Sequence, residues 1–290
     1  MFAGAWTALI TPFRNDAVDE RALRDLVEDQ IQNGIDGLVP CGTTGESVSL
    51  SHAEYKKVVS VTVEQAKGRV PVVAGVGTAS TRHTIELAEL ACGVRVDGLL
   101  VVTPYYNRPT QEGLYAHYKA VSDAAALPIM LYNIPARTGV DLGLATLERL
   151  AELPAIVAIK EATGNVQRSA EIAAKFGERF TILSGDDALT LPIMAVGGQG
   201  VVSVGSHLVP AEFARLVRSM REGDLAGALA LSQRLQPLFE ALFIESNPGP
   251  IKAALAMCGR IAPELRLPLV LPTEATQARV RAALQQLRLL

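Results

Sequence analysis

The chain has 290 residues, 49% of them hydrophobic and 20% charged, with a formal net charge of −3. An isoelectric point near 5.9 leaves no basic face for nucleic acid or an anionic membrane, and no run of like charges forms a tail. Three cysteines, Cys41, Cys92 and Cys258, without CxxC spacing, exclude a disulfide framework and a cysteine zinc site, and suit a reducing, cytoplasmic compartment. The four histidines, His52, His83, His117 and His207, lie far apart in sequence and read as helix-surface residues, so no metal site is expected.

Residues 1–13 are apolar but lack a basic start and end near Pro12, which fits a first strand better than a signal peptide. From there the chain alternates. Apolar strand candidates fall near 5–11, 37–41, 70–75, 98–103, 128–133, 155–160, 180–184 and 200–204. Helical apolar spacing fills the intervals, near 19–33, 51–67, 80–92, 111–125, 144–153, 165–176, 188–196 and 210–222. Ser51 and Glu54 predict a capping box at the start of the second helix. The uncharged stretch between Asp187 and Glu212 is long enough for a membrane span, but its prolines and glycines break it into helix, turn and strand. Eight strand–helix pairs predict a (β/α)8 TIM barrel over 1–223, with an open doubly wound sheet as the other arrangement. Beyond Gly223 the helical segments 224–244, 248–258 and 273–290 follow without strands, which predicts a C-terminal helical extension over 224–290.

In such a barrel the chemistry gathers where strands run into the following loops. Strand six is an apolar run, 155–159, that ends in Lys160. An ammonium there is costly unless it is paired, reaches water or is neutral, and a neutral lysine is a nucleophile toward carbonyls. Taken alone, Lys160 is open to either reading. Strand two ends in Gly42-Thr43-Thr44-Gly45-Glu46, a tight turn whose N–H groups and hydroxyls can seat an anion or can be only a turn. Strand four ends in Thr103-Pro104-Tyr105-Tyr106-Asn107, where tyrosines can serve packing as well as catalysis. Strand period two sets Met130 with Tyr132, and Ile156 with Ala158 and Lys160. If both sets point inward, the Tyr132 phenol lies beside the Lys160 amine. Arg137 follows, able to hold a carboxylate or to form a surface ion pair. The glycine pairs Gly75/Gly77 and Gly198/Gly200 lack the third glycine of a dinucleotide fingerprint, so no phosphate cofactor is expected.

These residues, together with Gly4-x-x-x-Ala8-x-x-Thr11-Pro12-Phe13, Ser184-Gly185-Asp186-Asp187 and Glu245-Ser246-Asn247-Pro248, resemble the dihydrodipicolinate synthase family of pyruvate-dependent class I aldolases. The resemblance spans nearly the whole chain. It implies condensation of pyruvate with L-aspartate 4-semialdehyde in lysine biosynthesis through diaminopimelate, a hydro-lyase reaction without metal or cofactor. Lys160 is then the Schiff-base lysine, and Tyr132, Thr43 and Tyr106 the proton relay, with Tyr106 entering from a neighbouring subunit. Thr44 seats the pyruvate carboxylate and Arg137 that of the semialdehyde, while Gly185 and Val202 line the site with backbone groups. The same resemblance implies at least a homodimer, and in the family often a tetramer.

It also implies a regulatory lysine pocket at Ser47, His52, Tyr55, Ala79, His83 and Tyr105. Here Tyr55 and Ala79 replace the usual histidine and asparagine, and His83 replaces the acid that pairs with the lysine ammonium. Weak or absent lysine feedback is expected. The sibling reading is N-acetylneuraminate lyase or a 2-keto-3-deoxy sugar acid aldolase. The Tyr105-Tyr106-Asn107 loop and Arg137 favour the short amino-acid partner over a polyol.

Overall fold

The computed structural model describes residues 2–290. Eight strands are β1 Gly4–Ala8, β2 Gly37–Val39, β3 Val73–Gly75, β4 Gly98–Val102, β5 Ile129–Asn133, β6 Ile156–Glu161, β7 Thr181–Ser184 and β8 Gly200–Ser203. They pair in parallel in the order β2-β1-β8-β7-β6-β5-β4-β3. A parallel bridge between Leu38 and Val72 joins the two ends of that order and closes a (β/α)8 barrel. The outer helices are α1 Glu20–Gln32, α2 His52–Ala66, α3 Thr81–Gly93, α4 Gln111–Ala124, α5 Leu144–Ala151, α6 Val166–Phe176, α7 Thr190–Ala195 and α8 Pro210–Glu222.

Side-chain caps start most of these helices, from Asp19, Ser51, Ser80, Thr110 and Asn165. The Ser51–Glu54 capping box forms as the sequence predicts. The uncharged stretch divides into α7, β8 and their turns, and no described helix is long and apolar enough to cross a membrane. Four small elements carry no sequence signal strong enough to predict them. They are a hairpin pairing Phe13–Arg14 with Ala17–Val18, a one-turn helix Pro135–Thr138 after β5, and 3-10 turns at Ser47–Ser49 and Gly205–His207. Each is only two to four residues long, too short for periodicity to register.

The apolar residues sort into two shells. Phe2, Trp6, Ala8, Val39, Val73, Leu100, Met130, Tyr132, Ala158, Leu183 and Val202 fill the barrel interior. The larger cluster lies between the strands and the helices. Ile156 is a correction: it belongs to this outer shell and not with Ala158 and Lys160. The pairing runs Ile129 to Ile156 and then Met130 to Ala158, so Val157 is an extra, unpaired residue. Such a bulge resets the alternation, and bulges are common where a strand must re-aim a side chain at a site.

His117 and His207 are also corrections, because both are buried rather than on helix surfaces. His207 Nδ1 lies 2.8 Å from the Val204 carbonyl, and its Nε2 accepts the Ile10 N–H at 3.0 Å. Burial lowers both imidazoles to about 4, so they stay neutral in the core.

Three further helices follow: α9 Leu225–Leu242, α10 Gly249–Met257 and α11 Glu274–Gln286. Leu235, Phe239, Ile251, Leu255, Val280 and Leu284 from these helices join the outer-shell cluster of the barrel. Phe239 on α9 packs on Phe213 of α8 with ring centroids 5.5 Å apart. The extension therefore shares one core with the barrel.

Candidate active site

Lys160 lies on β6, paired with Tyr132 of β5 on one side and Leu183 of β7 on the other. It is 5% exposed, and its Nζ sits 4.2 Å from the centre of the Tyr132 ring. Burial brings its pKa down from 10.5 to about 8; Asp187 opposes that shift and Arg137 adds to it. At 10.5 roughly 0.03% of such a lysine is neutral at pH 7, whereas at about 8 roughly a tenth is. Room for the side chain comes from Gly185, where a Cβ would lie 3.1 Å from the Lys160 Cε and 2.6 Å from the Ala162 Cβ. Glu161 points the other way, as strand alternation requires, and pairs with Arg168 at 3.1 Å.

Tyr132 is also buried, which raises its phenol to about 12, against the pull of the nearby Arg137 charge and the Thr43 hydroxyl. A protonated phenol beside a partly neutral amine can give and take a proton at the carbonyl that the amine attacks. Thr43 and Thr44 lie in the β2–α2 turn, and the buried Thr44 hydroxyl accepts a hydrogen bond from Asn247 Nδ2 at 2.9 Å. Arg137, on the one-turn helix after β5, donates to the Asn247 carbonyl at 3.1 Å. Asn247 thus ties the Thr43–Thr44 turn to the arginine.

A chamber of about 280 Å³ opens above these groups, with Thr43, Tyr132, Arg137 and Asn247 on its wall beside Ser47 and Tyr105. Its volume is enough for small acids. Lys160, Thr44, Gly185 and Val202 are not on that wall, and Lys160 is linked to it through the Tyr132 ring. Tyr106 is 92% exposed at the tip of the β4–α4 loop and takes no part in its own chain's chamber.

Within a single chain the residues expected in a lysine pocket have unlike surroundings. Ser47 and Tyr105 face the active-site chamber, and Ala79 is half-buried, its carbonyl accepting from Asn107 at 3.3 Å. Tyr55 is 2% exposed in the outer-shell core, unavailable to a ligand. His52 and His83, set aside on sequence distance, meet with their Nε2 atoms 3.0 Å apart.

Three neighbours of the site stand in motifs named from the sequence, but with no role assigned to them there. Asn247 stands inside a recognised motif, but nothing in the sequence pairs it with Thr44. The buried Asp187 accepts N–H groups of Val204 and Gly205, and burial raises it to about 6. Glu46, the last residue of the β2 turn, forms a buried ion pair with Lys252 of α10. Asp187 and Glu46 both had a local signal, as carboxylates in the loops that follow barrel strands.

Residues 1–287 match the Dihydrodipicolinate synthetase family. The 4-hydroxy-tetrahydrodipicolinate synthase of Geobacter sp. (strain M21) is 51% identical over 290 residues, with 100% of both chains covered. The solved 4-hydroxy-tetrahydrodipicolinate synthase of the thermoacidophilic methanotroph Methylacidiphilum fumariolicum SolV is 47% identical with a TM-score of 0.98, over 99% of this chain and 96% of that one. The chloride-inhibited dihydrodipicolinate synthase of Acinetobacter baumannii, complexed with pyruvate, is 40% identical with a TM-score of 0.98 and covers 100% of both.

Proposed function

This chain belongs to the dihydrodipicolinate synthetase family, and on that premise we propose that it condenses pyruvate with L-aspartate 4-semialdehyde through an imine on Lys160. The observation that carries the reading is a buried lysine of lowered pKa set against Tyr132 in a chamber sized for small acids. The relative from Acinetobacter baumannii was solved with pyruvate, and pyruvate is the ligand proposed here. A sibling sugar-acid aldolase is set aside, because relatives identical at about half of all positions over the whole chain carry the synthase name.

In this mechanism the pyruvate carboxylate rests on the Thr43–Thr44 turn and the neutral Lys160 amine attacks its ketone. Tyr132, with Thr43, carries protons as one water leaves and the imine forms. The protonated imine is the electron sink, so the methyl group loses a proton to give an enamine. The enamine carbon attacks the aldehyde of the semialdehyde, whose carboxylate Arg137 holds. The semialdehyde amine then adds to the imine carbon, closes the ring and releases Lys160. Because one water is lost overall, the enzyme is classed as a carbon–oxygen lyase.

Treating the enzyme with pyruvate and borohydride leaves a stable adduct on Lys160, read by peptide mass spectrometry. A label on another residue, or none, rejects the mechanism. Because the attacking form is the neutral amine, kcat/KM for pyruvate rises with pH through about 8 and levels above it. A rate independent of pH between neutrality and the level region contradicts Lys160 as the titrating nucleophile.

The enzyme is further proposed to work as a cytoplasmic homo-oligomer, at least a dimer. Support for the oligomer comes from the exposed Tyr106, and from Val48 and Leu267, apolar, largely exposed and both at the chamber wall. Millimolar L-lysine is expected to leave the rate unchanged, since His83 stands in place of the acid that would pair with its ammonium and Tyr55 is buried. Strong inhibition below millimolar lysine contradicts this.

A further inference from the structure

We propose that His52, His83 and Glu86 form a binding site for one divalent transition-metal ion of the imidazole-preferring kind, such as Zn²⁺, joining the first turns of α2 and α3. His52 is the first residue of α2, behind its Ser51 cap, and His83 lies in the first turn of α3, behind Ser80. Packing of α2 beside α3 brings the rings together, with Nε2 atoms 3.0 Å apart and ring centroids at 5.2 Å. Glu86 sits three residues after His83, so the helical repeat stacks both on one face. Ligand atoms of all three lie within 4.8 Å of one another.

A tetrahedral zinc with bonds of about 2.0–2.1 Å holds its donors roughly 3.3–3.4 Å apart. The two imidazole nitrogens need open by only a few tenths of an ångström, which exposed side chains can do. Two neutral imidazoles and one carboxylate give the site a charge of −1 against an ion of +2, and the fourth position is open to water. Without an ion, one ring donates from Nε2 to the other. Binding requires that ring to hold its proton on Nδ1 instead, so that both Nε2 lone pairs face the metal. A lone hydrogen bond between two exposed rings contributes little net stability and does not involve Glu86. The other two histidines are buried, so these are the only exposed imidazoles among the described residues.

An ion here also bears on the loops that frame the chamber. Ala79, four residues before His83, accepts a hydrogen bond from Asn107, the neighbour of Tyr106. Pinning the start of α3 therefore steadies the base of the loop that carries Tyr106.

The test is equilibrium dialysis of the full chain, stripped with a chelator, against Zn²⁺, with Co²⁺ as a spectroscopic substitute. One ion per chain is expected, with the intense visible absorption of tetrahedral Co²⁺. His52→Ala and His83→Ala should each weaken binding by about tenfold or more, and Glu86→Gln by less. Assayed without added metal, both histidine variants should match the stripped wild type in condensation activity and unfolding temperature, since all three side chains are exposed. If the chain binds no ion, or if the His52→Ala/His83→Ala double variant binds as tightly as the wild type, the assignment is overturned.

Discussion

Replacing Lys160 by methionine abolishes condensation while making the folded chain more stable at neutral pH. The activity loss is expected to be on the order of 10⁴-fold or more, since no other amine stands at the Tyr132 ring to form the imine. The stability gain follows from linkage. The folded-state pKa of about 8 lies below the ordinary 10.5, so at pH 7 the charged amine is less favourable folded than unfolded. Removing it relieves a cost on the order of 3 kcal/mol, and that gain shrinks as pH rises from 8 toward 10.5. Denaturant titrations of the two proteins at neutral and alkaline pH, beside rate assays, measure both effects. A variant that keeps activity, or that is less stable than the wild type at pH 7, would falsify the assignment of Lys160 as a desolvated nucleophile. The expected pattern is a site held in a strained electrostatic state for the sake of its chemistry.

The second large effect lies outside the chamber floor. Lys252→Met is expected to destabilise the chain by about 3–5 kcal/mol, the usual cost of stranding one charge of a buried pair. Lys252 is fully buried on α10, and its ammonium donates both to the Glu46 carboxylate and to the Glu264 carbonyl at 2.9 Å. The Arg266 N–H reaches the other Glu46 oxygen at 3.0 Å. Phe13 is flanked by both cations, 4.2 Å from Lys252 Nζ and 4.3 Å from the Arg266 guanidinium carbon. Glu46 itself sits at φ 53°, a left-handed conformation that an ordinary residue keeps only when its surroundings hold it. Because Glu46 closes the turn that carries Thr43 and Thr44, the variant should also raise KM for pyruvate more than it lowers kcat. The double variant Lys252→Met/Glu46→Gln removes both charges and should recover most of the lost stability. If the single variant is as stable as the wild type, or the double variant is no better than the single, the ion pair is not what anchors the turn.

The (β/α)8 order was legible because a strand buried on both faces reads as an unbroken apolar run, and because helix starts carry local caps such as Ser51 with Glu54. At Lys160 and Tyr132 the residue type at the strand end was legible, since each closes an apolar run, but that run alone left Lys160 open to pairing or to reaching water. Local rules also misled. Period two put Ile156 inward, but the Val157 bulge, a matter of pairing between two strands, turned it out. The histidines looked alike in sequence. Burial separated His117 and His207 from the pair at His52 and His83.

What the sequence determined by itself is therefore the succession of elements and the chemical type at each strand end, since both follow from residues close together in the chain. What only the tertiary structure decided is which distant groups meet. Asn247 reaches Thr44 across 203 residues, and Lys252 reaches Glu46 across 206. Closure of the barrel brings β6 against β5, and return of the C-terminal extension brings α10 under the β2 turn. Those approaches set the desolvation that lowers the Lys160 pKa and the ion pair that holds the β2 turn. Desolvation and charge pairing depend on distance in space, which a chain of residues does not display until it folds.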